Sequence, residues 1–271
     1  MQFDMSRAWR EATDMLAANR EVILALSGVF FFLPAFASSL MMTVSEPPVG
    51  GDEAAMSAWF LALYRANAPI LVGSALIQLV GIITLLALLR DDRKPTVGQA
   101  LKTGALGILP YIGSYLLLVA ALFLAIVVVA GIPAALGQPG IGLALAVLAV
   151  LPMLYVAVKL SLITPVIAIE KLMNPIAILQ RSWRLTSGNG LRLFLFYFLL
   201  TVVYAVISLV ASGVLGVLSV LLGQGSAYEI GMGIGTGLVS AAGTAVFTVV
   251  LAAVHRQLAG PSAAGLGRTF G

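Results

Sequence analysis

Apolar residues in this chain come in long unbroken runs rather than at the spacing of a one-sided helix or strand. Residues 22–44 and 66–89 hold no charge. The stretch between Lys102 and Lys159 is also uncharged, but the turn signals Gly131-Ile132-Pro133 and Gln138-Pro139-Gly140 divide it in two. Runs at 193–222 and 230–254 follow, separated by Gly223-Gln224-Gly225-Ser226. Backbone amides in hydrocarbon must find partners within their own segment, so an uncharged run of about 20 residues predicts a membrane-crossing helix. The predicted fold is all-α, a polytopic bundle of six spans.

Composition agrees with this reading. The 271 residues are 61% hydrophobic and 10% charged, against roughly 25% charged in a soluble domain. A formal charge of +4 could suggest nucleic acid, but the basic residues cluster between the apolar runs, as a topology signal does. Arg7, Arg10 and Arg20 precede the first span. Arg90, Arg93, Lys94 and Lys102 fill the second loop, Lys171, Arg181, Arg184 and Arg192 the fourth, and Arg256 and Arg268 the tail. On the other side only the first loop holds a basic residue, Arg65. Basic loops resist translocation, so both termini are expected in the cytoplasm. A cleaved signal peptide is the rival reading of the start, because Ala35-Phe36-Ala37 resembles a cleavage site. Against it stand the acidic residues ahead of the run (Asp4, Glu11, Asp14, Glu21) and the hydrophobicity that continues through Met42. The chain has no cysteine, which excludes thiol chemistry and leaves redox compartment unread.

Each pair of spans is preceded by an amphipathic segment. Met5, Ala8, Trp9, Ala12, Met15 and Leu16 share one helical face, opposite Arg7, Arg10, Glu11 and Asp14. Thr96 and Gln99 form a capping-box pattern before the third span. Before the fifth, Asn174 suits an N-cap, Pro175 the first helical position and Gly188 the residue past the end. Between them Ile176, Leu179 and Trp183 are expected to face away from Gln180, Arg181 and Arg184. The chain thus divides into 1–89, 95–169 and 174–255, each an interfacial helix plus a two-span hairpin, followed by a tail at 256–271. This is a candidate threefold repeat within a single membrane domain.

The segment Lys159-Leu-Ser-Leu-Ile-Thr-Pro165-Val-Ile-Ala-Ile-Glu170, continued by Asn174-Pro175, Gln180-Arg181-Ser182-Trp183-Arg184-Leu185-Thr186 and Gly188-Asn189, resembles a known pattern. It is similar to the membrane domain of bacterial glycerophosphodiester phosphodiesterases and to the related YciC-type inner-membrane proteins. Those families carry a basic residue in the fourth span, then a Pro, a Glu and an "RSW.LT.GN" signature. The resemblance implies a multi-pass protein of a bacterial inner membrane. It does not imply the phosphodiesterase reaction, because the spans leave no room for a catalytic barrel and no cluster of acidic metal ligands is present.

Candidate chemistry is sparse. Lys159 is the one basic residue deep in an apolar run, where a charge is costly and either snorkels, finds a structural partner or binds an anion beside Tyr155, Ser161 and Thr164. Glu170 lies eleven residues on, about 16 Å along a continuous helix. A direct pair with Lys159 would need a break at Pro165, so Glu170 is expected to meet Arg181 or Arg184. Gln78, with Ser74 and Gly81 a turn away on either side, is expected to hydrogen-bond between helices. Ser208, Ser212 and Gly216 on the fifth span, and Gly231, Gly233, Gly235 and Gly237 on the sixth, predict close helix packing. Trp9, Trp59 and Trp183 fall at expected membrane interfaces. The sole histidine, His255, ends the last span, and no Asp or Glu lies in a span core. The sequence offers no catalytic constellation, metal site or cofactor motif, so the expectation is a non-catalytic protein.

Three functions remain open. One is handling of lipids or amphiphiles at the cytoplasmic leaflet, with Lys159, Arg181 and Arg184 meeting anionic headgroups. Another is a structural module that forms a homo-oligomer or docks a partner membrane protein. The third is a small-solute pore, for which Gln78, Ser161 and Thr164 are the few polar lining candidates. Membrane lipids are the expected partner in the first case, and nucleic acid in none.

Overall fold

The structure, a computed structural model, describes residues 2–42, 45–50, 52–90, 95–222 and 225–260. Arg93, Lys94, Gly223, Gln224, Arg268 and the tail beyond residue 260 lie outside the described residues. Regular structure among the described residues is helical throughout. After α1 (Met5–Ala18) come six helical stretches long and apolar enough to cross a membrane: Arg20–Met41, Glu53–Leu88, Val97–Ala135, Pro139–Glu170, Gly190–Leu218 and Tyr228–Ala259. Large apolar side chains stand exposed along them, among them Leu143, Leu148 and Leu151 of the fourth and Leu199, Leu209 and Val210 of the fifth. Such a surface is stable only with hydrocarbon as solvent, so the chain is a polytopic helical membrane protein.

Two spans change helix type on the way. The first joins α2 (Arg20–Ser27) to α3 (Leu33–Met41) through a π turn at Gly28–Phe32. The third joins α6 (Ile108–Ile126) to α7 (Ile132–Ala135) through a π turn at Val127–Gly131. In both, a proline stands two residues beyond the π turn, Pro34 and Pro133. Proline lacks an N–H and its ring clashes with the carbonyl four residues back; the extra residue of the π turn absorbs both conflicts and the helix continues. Gly131-Ile132-Pro133 is therefore not the break the sequence suggests. The chain turns later, where Gly137 adopts a left-handed φ of +80° between Leu136 and Gln138.

The other elements are α4 (Glu53–Leu88), α5 (Val97–Leu106), α8 (Pro139–Lys159), α9 (Ile163–Glu170), α10 (Pro175–Thr186), α11 (Gly190–Leu222) and α12 (Ser226–Ala259). Two compact units group these residues: Met1–Ala18 with Ile82–Val202 and Phe247–Gly271, and Asn19–Gly81 with Val203–Val246. The grouping cuts across the three hairpins because α4, α11 and α12 are long enough to give residues to both units. In the first unit the core gathers Leu85, Leu86, Leu162, Ile167, Ile178, Leu193 and Val250. There α1 buries Ala8, Ala12 and Met15 while Trp9 stays exposed, so its apolar face packs largely on protein.

In the second unit, small residues set the spacing of helices. A Cβ on Gly233 would stand 2.6 Å from Ser39 Oγ and 3.1 Å from the Phe36 ring, and one on Gly237 would stand 3.2 Å from Phe32. One on Gly235 would meet Leu215 at 2.6 Å. Gly233, Gly235 and Gly237 thus lie against side chains of the same chain, whereas nothing lies within 4 Å of a Cβ on Gly231, where the close packing expected from the sequence does not form. Gly216 differs from the expectation, since nothing lies within 4 Å of where its Cβ would be.

Candidate functional site

The richest polar cluster is built where the fourth span breaks. Pro165 cannot donate to the Ser161 carbonyl, so α8 ends at Lys159 and α9 starts at Ile163 after a short turn. Lys171, in the left-handed conformation at φ 57°, ends α9, and the chain reverses into α10. Asn174 caps α10 as expected, its Oδ1 accepting from Ile176 N at 2.9 Å and Ala177 N at 3.2 Å. The Thr96–Gln99 capping box of α5 also forms, with both reciprocal bonds present.

Helix α10 lies against the end of α8 through polar contacts. Lys159, 3% exposed, donates its Nζ to the Thr186 carbonyl at 3.2 Å. The ammonium stands over the rings of Tyr155, at 5.3 Å from the centroid, and Trp183, at 5.6 Å. The Lys159 carbonyl accepts from Ser182 Oγ at 2.9 Å and Thr186 Oγ1 at 3.0 Å. Ser182 Oγ in turn accepts from Leu162 N at 3.2 Å, so one hydroxyl joins the end of α8 to the start of α9. A cation at the last turn of α10 also complements the negative end of its dipole. Lys159 thus neither snorkels nor faces an open cleft: its amine binds a carbonyl and two aromatic faces. Of its suggested companions, Tyr155 joins it, while Ser161 hydrogen-bonds Tyr197 at 3.2 Å. Thr164 makes no side-chain hydrogen bond among the described residues.

Glu170 anchors a second knot. Its carboxylate accepts from Arg181 Nε at 2.7 and 3.0 Å, which realises one of the two expected pairings. His255 Nε2, almost fully buried on α12, lies 2.9 Å from Oε1 of the same carboxylate, an oxygen that Arg181 Nε also reaches. One residue on, Arg256 pairs with Glu11 of α1 at 3.3 Å. Three helices therefore converge on Glu170, and a fourth is tied on beside it. Sequence reasoning missed His255 as a partner because 85 residues separate it from Glu170. The available signal was scarcity: the chain has one histidine, and Glu170 is its only carboxylate between Asp92 and Glu229.

The packed face of α10 is not the expected one. Ile178, Ser182, Leu185 and Thr186 are buried, while Ile176 is 57% and Trp183 40% exposed. Ser182 and Thr186 face inward because they are needed by the Lys159 carbonyl, which turns Ile176 and Trp183 outward. At about 100° per residue, the outward arc holds Ile176, Gln180, Trp183 and Arg184, all exposed. With Arg181 engaged by Glu170, Arg184 is the exposed cation of this helix.

Family models, curated proteins and solved structures give the chain no match. Away from it, Gln78 is half-buried and makes no side-chain hydrogen bond among the described residues; the interhelical bond forms one turn earlier, Ser74 Oγ to Ser38 Oγ at 2.7 Å. Trp59 donates Nε1 to Ser45 Oγ at 3.0 Å.

Proposed function

We propose that this protein is a non-catalytic component of a bacterial inner membrane, with both termini cytoplasmic, that binds anionic lipid headgroups at the cytoplasmic leaflet. The observation that supports this reading best is the outward arc of α10. Ile176 and Trp183 offer apolar and amphipathic surface beside Gln180 and Arg184, the combination suited to a helix lying at headgroup depth. Arg7, Arg10, Lys102, Lys171 and Arg192 are also exposed, and all belong to segments that the positive-inside bias assigns to one side. The Lys159 clamp and the Glu170 knot hold α10 in this orientation, so their role is positional. Gly233, Gly235 and Gly237 of α12 are occupied by side chains of the same chain, which weighs against an oligomeric scaffold built on them.

The test is retention of anionic lipid by the full chain in nanodiscs of equimolar phosphatidylglycerol and phosphatidylcholine. One surface charge is worth about fivefold in affinity for an anionic interface. Arg184→Gln should lower the retained phosphatidylglycerol by about that factor, without loss of thermal stability. Equal retention of the two lipids by the unaltered protein would overturn the reading.

A further inference from the structure

An open apolar groove of about 450 Å³ lies in the first unit, lined by Leu106, Leu109, Pro110, Met173 and Pro175. We infer that this groove holds one acyl chain of an anionic phospholipid whose phosphate is met by Lys102 and Lys171. The inference rests on the lipid-binding reading above and assigns it a site.

The floor of the groove is a fixed structure. Ser114 Oγ bonds the Pro110 carbonyl at 2.8 Å and the Pro175 carbonyl at 3.5 Å. A Cβ on Gly113 would stand 2.9 Å from Pro175 Cγ, so only glycine lets the start of α10 seat so closely on α6. The groove's size falls within the roughly 300–1,000 Å³ of ligand clefts. Leu109 is 80% exposed, and in a membrane protein such a concave apolar surface faces lipid tails.

Tails alone do not select a lipid, since leaving bilayer hydrocarbon for an apolar groove changes little. Selection has to come from the headgroup, and two lysines lie within a helical turn of the groove's lining residues in the chain. Lys102 precedes Leu106 by one helical turn, which places them on one face of α5. Lys171 precedes Met173 by two residues. Both lysines are exposed, and among the described residues neither has a carboxylate within ion-pair distance. No acidic residue occurs between Asp92 and Glu170, and Glu170 is engaged by Arg181 and His255. Lys171 moreover occupies a left-handed position where glycine is the better residue.

Photo-crosslinking tests the assignment. The full chain is placed in nanodiscs of phosphatidylglycerol and phosphatidylcholine, either of which carries a diazirine on one acyl chain, and labelled peptides are mapped by mass spectrometry. Two cations predict labelling of 106–110 and 173–175 about 30-fold stronger from phosphatidylglycerol. The pair Lys102→Gln and Lys171→Gly should remove that preference; the glycine relieves the left-handed strain, so an unchanged melting temperature certifies the fold. Leu109→Trp, which fills the groove, should abolish labelling by both lipids. Phosphatidylglycerol retained by the protein but labelling elsewhere overturns the groove and leaves the lipid-binding reading standing. No preference for phosphatidylglycerol at any position overturns both.

Discussion

Replacing Lys159 with Met tests whether the buried ammonium is a structural clamp. Met preserves most of the stem and its packing but removes the hydrogen bond to Thr186 and the attraction to Tyr155 and Trp183. A hydrogen bond from a charged donor contributes about 1.5–3 kcal/mol and the ring contacts about 0.5–2 kcal/mol. Two effects reduce that sum. The Thr186 carbonyl keeps a second partner, Asn189 N at 3.2 Å, so it is not orphaned. The ammonium can also snorkel towards water in a membrane-inserted but unpacked chain and loses that water when the fold buries it, a cost that Met escapes. The expected net loss is about 1–2 kcal/mol, or a fall of about 2–8 °C in melting temperature. Thermal unfolding in detergent, with retained lipid measured in parallel, separates the possibilities. The clamp predicts a lower melting temperature with lipid retention unchanged. An unchanged melting temperature together with lost anionic lipid would refute it and restore Lys159 as a headgroup anchor. Ser182→Ala should destabilise by a similar amount, since it strips the buried Leu162 N–H of its acceptor.

Three further outcomes follow from the packing. Glu170→Ala removes the acceptor shared by Arg181 and His255 and should cost about 1–3 kcal/mol, between the values for surface and buried pairs; a melting temperature equal to that of the parent would show the knot to be idle. Gly233→Val should destabilise by about 1–3 kcal/mol through overlap with Ser39 and Phe36, whereas Gly216→Val should cost less than about 1 kcal/mol; equal melting temperatures for the two variants would contradict the packing described. The chain has no native cysteine, so Gln138→Cys should react with an impermeant thiol reagent in intact cells and Ser187→Cys should not; labelling at Ser187 would invert the topology.

The six spans were legible because hydrocarbon imposes long uncharged runs, and that constraint acts on each segment separately. Local chemistry was legible for the same reason: the Thr96–Gln99 box and the Asn174 cap depend only on residues within three positions of one another. Helix continuity through Pro133 was not, because a π turn absorbs a proline without leaving a compositional mark. The inward face of α10 was misread for a different cause. Ser182 and Thr186 look like solvent-facing residues until the Lys159 carbonyl, freed by the break before Pro165, is brought to them. The sequence places Glu170 near Arg181 by short range, but only the tertiary fold brings His255 to the same carboxylate.

Native mass spectrometry of the protein released from nanodiscs tests the proposal that the exposed cationic side of the molecule engages anionic lipid. With phosphatidylglycerol and phosphatidylcholine supplied in equal amounts, phosphatidylglycerol should be bound in excess and fall about fivefold on Arg184→Gln. Equal amounts of the two lipids on the parent protein would contradict it.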